Sequence, residues 1–251
     1  MEIDFKIAPN VILASHITGI FDVNRSTILA NDDFSLVSDW AESITQLGLQ
    51  GIIFHNNFSA ATCALHQNEY IHFIKINYDN KFNPNVYRYI LYAEFLKKYS
   101  SFLHNVFCTD ISDVEVLNNP FLQKEYLSNP DFIFCGDEPK ILDNEWMHLH
   151  AQHLRDQITD YATYESRYKN HTLLNCGIIG GTIDVMYPFI YSLSQIHEQY
   201  NADNKTAYTG DMGAFNYLIR TQYSNRVKHG KPVNTEFKKY EIDRSCWFKH
   251  K

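Results

Sequence analysis

The first 117 residues alternate between short apolar runs of β-forming residues and amphipathic segments of helical period, and that alternation leaves few folds open. Asn10 to Ala14 reads as a short buried strand, followed by a polar segment from Ser15 to Arg25. Between Phe34 and Leu47, residues Leu36, Val37, Trp40, Ile44 and Leu47 recur at helical spacing, and Gly48 closes that helix. Gly51-Ile-Ile-Phe-His-Asn is a second buried strand. Strand, helix and strand over this length predict parallel pairing, because parallel neighbours need a long crossover. Asn57 to Asn68 continues as a helix, Tyr70 to Ile76 as a strand and Val86 to Tyr99 as a helix, which leads into the strand that starts near Phe102. The pattern β-α-β-α-β-α-β predicts an α/β domain with a doubly wound sheet.

The second half is less regular. Asp131 to Cys135 predicts a strand that stops on Gly136-Asp137-Glu138-Pro139, and Glu145 to Tyr168 predicts a helix. Leu173 to Gly181 reads as a strand with glycine punctuation, Thr182 to Glu198 and Asp211 to Tyr223 as helices, and the tail from Lys228 as turns and short extended pieces. No internal repeat or low-complexity linker interrupts the chain. Residues 1–251 are therefore expected to form one domain, with 1–117 and 118–251 as its two halves.

A net charge of −7 argues against nucleic acid as a partner, since such binding needs a basic face that displaces counterions. The C-terminal end is locally basic (Lys228, Lys231, Lys238, Lys239, Arg244, Lys249, Lys251), so it is expected to offer either a phosphate contact, a peripheral membrane contact or a solvated face. The five cysteines are widely spaced without a CxxC pair, which fits a reducing compartment. With no apolar stretch of membrane-spanning length and no signal-peptide pattern, the expected location is the cytoplasm.

The strand beginning near Phe102 ends on two carboxylates, Asp110 and Asp113, and apolar residues resume at once. Ligands of open α/β sheets bind at the carboxyl ends of strands. Acids placed there suit a hard cation such as Mn²⁺ or Mg²⁺ together with a phosphate-bearing ligand. On their own the two acids also fit an Asx-type turn. Asn175-Cys-Gly-Ile-Ile-Gly-Gly combines an amide that can hold a hydroxylated ligand with glycines that permit close backbone approach or simply turn the chain. Asp211 stands at the start of a helix, where it serves either as N-cap or, with Asn216 further along, as an acid presented to a ligand. His148, His150 and His153 lack the spacing of a metalloprotease helix and read as a surface cluster. No GxSxG, P-loop or GxGxxG motif follows a predicted strand.

In this order, the blocks resemble those of nucleotide-sugar-dependent glycosyltransferases of the GT-A fold, especially the retaining group that includes glycogenin and bacterial galactosyltransferases. Val11-Ile-Leu-Ala-Ser-His opens the fold, and a helix carrying Arg88 precedes Cys-Thr-Asp-Ile-Ser-Asp-Val, which resembles the DxD block in an Asp-x-x-Asp form. Leu-Asn-Cys-Gly resembles the NxG block, and Gly-Asp-Met-Gly-Ala-Phe-Asn the D-x-x-x-x-N block. The resemblance implies a single GT-A-like (Rossmann-like) domain with a mixed, mainly parallel sheet flanked by helices. It implies a UDP-sugar donor and a glycan or other hydroxyl acceptor. Ala14, Ser15 and His16 would border the nucleoside, and Arg88, Asp110, Gly177, Glu138 and Lys251 would contact the donor. Asp110, Asp113 and His250 would hold Mn²⁺ or Mg²⁺, with His229 and Lys231 as alternates to His250 and Lys251. Asp211 and Asn175 would hold the transferred sugar. Two other readings share the acid-ended strand: a metal-dependent nucleotidyltransferase or phosphohydrolase, and a non-catalytic nucleotide- or carbohydrate-binding module.

Overall fold

Residues 2–22, 26–203, 209–239 and 241–251 are described by a computed structural model. In chain order the elements are β1 (Asn10–His16), a two-strand ribbon β2 (Phe21–Asp22) and β3 (Thr27–Ile28), α1 (Ser38–Gln46), β4 (Gln50–His55), α2 (Ala60–His66), β5 (Ile71–Lys75) and α3 (Pro84–Tyr99). Then come β6 (Asn105–Thr109), β7 (Val114–Val116), the single turn α4 (Lys124–Leu127), β8 (Ile133–Ile141), α5 (Glu145–Gln157) and α6 (Tyr161–Tyr168). The chain finishes with β9 (Thr172–Thr182), α7 (Ile183–Tyr200), α8 (Asp211–Gln222), β10 (Val227–His229) and β11 (Phe248–His250).

Seven strands form one sheet in the order β10-β8-β9-β6-β1-β4-β5. Its β1–β4, β4–β5, β1–β6 and β10–β8 pairs are parallel, and β9 runs antiparallel to both β6 and β8. Successive β1 residues point to opposite faces. Val11 and Leu13 join a core with α3, α7 and α8, while Ile12 and Ala14 join a second core with Trp40 and Ile44 of α1. Both sheet faces are thus buried, which is why these strands read as continuous apolar runs. The chain travels from β1 outward to β4 and β5 and then returns to β6 on the other side of β1. The carboxyl ends of β1 and β6 therefore flank a topological switch point, the place where such sheets bind ligands.

The segment expected as one helix from Glu145 to Tyr168 is two, broken at residues 158–160, where Asp160 precedes α6. The larger correction lies in β8 and β9. The strand expected to stop at Cys135 continues to Ile141, and the glycines of β9 lie inside an eleven-residue strand instead of turning it. Pairing is irregular, however. Cys135 faces Ile179 but Gly136 faces Asn175, so residues 176–178 of β9 have no counterparts on β8. Asp137 faces Leu174 but Ile141 faces Thr172, so 138–140 bulge from β8 in turn. Bulges of this kind re-aim side chains next to functional sites. Gly180 has a packing reason: a Cβ there would lie 2.1 Å from Phe107 Cδ1.

His197 and His55 are buried as neutral imidazoles. His197 stacks on Tyr89 at 5.3 Å, with its Nδ1 2.7 Å from Asn201 Nδ2, and burial lowers its pKa to about 3. Burial likewise lowers His55 to about 4. In the unfolded chain both would titrate near ~6.5, so below that pH the unfolded state binds protons that the native state refuses. Stability is then fully present above about pH 6.5 and falls as pH drops toward the folded values. At about pH 5 each histidine should cost about 2 kcal/mol relative to pH 7. Urea melts at the two pH values check this, and an unchanged midpoint would contradict neutral burial.

Candidate active site

β6 ends on Thr109, whose hydroxyl accepts a hydrogen bond from Trp40 Nε1 at 2.8 Å, and this fixes the strand end against α1. The next residue, Asp110, donates its backbone N–H to Gly177 O at 2.7 Å across the β9 bulge. The chain then turns through 111–113 into β7. Antiparallel pairing of β7 with β11 sets His250 opposite Val114 and so carries the far end of the chain onto this turn. His250 Nε2 lies 3.7 Å from Asp110 Oδ2 and 3.8 Å from Asp113 Oδ2, and all three ligand atoms fall within 4.8 Å of one another.

The donor set fits a divalent cation. Two carboxylate oxygens and one imidazole nitrogen converge, and burial lowers His250 to about 4 against the pull of Asp110, so the ring carries a free lone pair at neutral pH. Gly177 leaves the space: a Cβ on it would come within 2.5 Å of Asp110 Oδ2 and 2.7 Å of His250 Cε1. Among the described residues this is the one cluster of three potential ligands. The three histidines expected as a surface cluster do not form one: His148 pairs with Asp143 at the surface, but His150 is buried and faces Asp211, and half-buried His153 contacts Asn201.

Arg88 reaches the same place from the inner face of α3. Its guanidinium pairs with Asp110 through Nη1 and lies 3.6 Å from Asp211 Oδ2 through Nη2. Burial is the largest influence and opposes its charge, but Asp110, Tyr89, Cys176 and Asp211 together outweigh it and raise its pKa well above the usual value. Arg88 is thus a buried bridge between two acids, more than a free fork for the donor. Asp211 is the first residue of α8, not its N-cap. Gly210 holds that position with φ +74°, and Thr209 Oγ1 donates to Asp211 Oδ1 at 2.5 Å. Asn216 lies in the core away from any ligand. It exchanges hydrogen bonds with the backbone N–H and C=O of Leu174 (3.1 and 2.8 Å), which pins the Asp211 helix to the Asn175 strand.

Asn175 donates to Glu138 Oε1 at 3.0 Å and accepts from Gly177 N at 2.7 Å. Glu138, expected beyond a strand end, sits in the β8 bulge, with Lys140 Nζ 3.6 Å from its other oxygen. A cleft of about 800 Å³ joins these groups. Ser15, His16 and Arg88 line it, as do Asp110, Asp113, Glu138, Asn175, Gly177, Asp211 and His250. Ala14 does not; it is fully buried in the core beneath. Lys251 also turns elsewhere, its Nζ 2.6 Å from Asp39 and 2.5 Å from Glu115, and only its backbone N–H reaches Asp113 O. His229 pairs with Asp137, and Lys231 with Glu241 and Asp243; neither lines the cleft. The cation that does line it beside His250 is Lys238, which no motif marked. Sequence reasoning also missed Trp146, His150, Cys176 and Thr209, all at the Asp211 end.

No family model matches this sequence, and no curated protein matches it. Solved structures do. The crystal structure of the galactosyltransferase LgtC in complex with donor and acceptor sugar analogues superposes with a TM-score of 0.52 at 14% identity, covering 96% of this chain and 86% of that one. The chain has a GT-A-like fold. At this identity the likeness speaks for the fold, including the mixed, mainly parallel sheet and the single domain.

Proposed function

We propose that the protein is a metal-dependent glycosyltransferase that moves a sugar from a UDP-sugar to a hydroxyl acceptor with retention of configuration. The observation that carries the reading is the convergence of Asp110, Asp113 and His250 at the switch point of a GT-A-like sheet, inside the cleft that also holds Asp211 and Asn175. Ser15 and His16 would border the nucleoside, with the diphosphate over the Asp–His cluster and the sugar toward Asn175 and Asp211. Mn²⁺ or Mg²⁺ held by Asp110, Asp113 and His250 would neutralise the charge that builds on the departing diphosphate.

The chain's own residues supply the rest. Asp211, 3.6 Å from the Arg88 guanidinium, would stabilise positive charge developing at the anomeric carbon, as carboxylates do in glycoside hydrolysis. Asn175, held by Glu138 and Gly177, presents its amide edge to sugar hydroxyls. Retention and the choice of uridine rest on the resemblance of the sequence blocks. A cytoplasmic setting accords with five free cysteines. Peripheral membrane contact has weaker support, because Lys228, Lys231, Lys239, Lys249 and Lys251 all pair with carboxylates. A two-metal phosphohydrolase would need further converging acids, and the described residues supply one cluster.

The test is a thermal-shift titration with UDP, MnCl₂ and both together. Ligand at about a hundred times Kd stabilises by about 2.7 kcal/mol, so UDP with Mn²⁺ should raise Tm by several degrees beyond either alone. Additive or absent shifts would overturn metal-dependent nucleotide binding. Release of pyrophosphate in place of UDP would favour the nucleotidyltransferase.

A further inference from the structure

At the Asp211 end of the cleft stands an aromatic ring that no core requires. Of the three tryptophans, Trp40 and Trp247 are 0% and 1% exposed, whereas Trp146 is 38% exposed and lines the cleft. Trp146 and His150 are four residues apart on α5 and therefore share a helical face. Their ring centroids lie 3.8 Å apart, and His150 Nδ1 is 3.9 Å from Asp211 Oδ1. The imidazole thus backs the indole on one side and abuts the acid on the other. The indole is partly open in the cleft, and one imidazole separates it from the carboxylate that would meet the transferred sugar.

The groups beside it are polar. Glu138 and Lys140 come from the β8 bulge, and Thr209 precedes Asp211. A lipid tail would have to desolvate these charges for no return. A pyranose suits the surface on both counts. Its C–H face packs on the electron-rich face of an indole, and its hydroxyl edge reaches carboxylate and ammonium. We infer that the acceptor is a saccharide and that Trp146 is the platform on which its ring stacks. The inference rests on the glycosyltransferase reading and gives it a substrate class. In the transfer, the acceptor hydroxyl oxygen bonds to the anomeric carbon and the bond from that carbon to the diphosphate oxygen breaks. The electron pair stays on the departing oxygen, and the hydroxyl proton passes to the released diphosphate.

The experiment uses the full chain, Mn²⁺ and the UDP-sugar that gives the largest thermal shift. The acceptors are methyl β-glucoside, methyl β-galactoside, maltose and lactose, and wild type is compared with Trp146→Ala and Trp146→Phe. At least one saccharide should be glycosylated. Trp146→Ala should raise its KM about tenfold or more while the donor KM moves less than about twofold, and Trp146→Phe should recover most of the loss. An acceptor KM unchanged in Trp146→Ala, or donor binding without transfer to any of the four, would overturn the inference and leave the donor site standing. If no UDP-sugar shifts the wild-type melt, the glycosyltransferase reading itself fails, and the inference with it.

Discussion

Asp113→Ala should abolish transfer and the manganese dependence of UDP binding while leaving the melting temperature of the free protein within about a degree of wild type. The Asp113 side chain is 37% exposed, and its carbonyl, which receives the Lys251 N–H, survives the substitution. A substitution at a side chain this exposed usually moves stability by no more than about 0.5 kcal/mol. Losing a ligand to a cation that offsets leaving-group charge should lower the rate by about a thousandfold or more, on the order of 4 kcal/mol. Asp110→Ala should differ in kind. Removing that acid leaves buried Arg88 with only the more distant Asp211, and breaking a buried pair costs about 3–5 kcal/mol of stability. Isothermal titration of UDP with and without Mn²⁺, alongside melts of both variants, separates the two acids. If Asp113→Ala keeps wild-type manganese dependence, the metal assignment is wrong.

Gly177→Ala is expected to be nearly as damaging without removing a charged group. The added methyl would sit where Asp110 Oδ2 and His250 Cε1 now approach, at 2.5 and 2.7 Å, so the ligands must spread. Overpacking of this kind costs about 1–3 kcal/mol, which lowers Tm by several degrees in a chain of this size. The same wedge should weaken Mn²⁺-linked UDP binding about tenfold or more, because ligand positions tolerate only small errors. A variant that melts early yet binds UDP and Mn²⁺ like wild type would mean that the glycine serves strand packing alone.

The sequence made the first half legible because its signals are local. Val37, Trp40 and Ile44 mark a helix face, the apolar runs mark doubly buried strands, and Asp110 stops a strand where ligands bind. Three features escaped. The direction of β9 cannot be read from residues that are apolar on both faces, so its glycines looked like punctuation. The bulges at 138–140 and 176–178 exist only relative to partner strands, and Glu138 therefore looked like a residue beyond a strand end. Lys251 was chosen for its charge, but Asp39, distant in sequence, claims its ammonium. Among the site residues, His250 was legible through the resemblance, while Trp146 carried no signal and His150 read only as part of a surface cluster until α5 was set against α8.

The three-residue strand that delivers His250 has a consequence for how the site can be damaged. β11 is too short to hold itself in place. Beyond its pairing with β7, it is anchored by Phe248 against Phe107 at 5.0 Å and Trp247 against Phe134 at 5.3 Å, in a ring of aromatics beneath the sheet. The third ligand therefore takes its position from hydrophobic packing as well as from its pairing with β7. A truncation at Phe134 or Phe121, which do not line the cleft, would reach the cluster as a misplaced imidazole, so activity can be lost through buried residues that never meet a ligand.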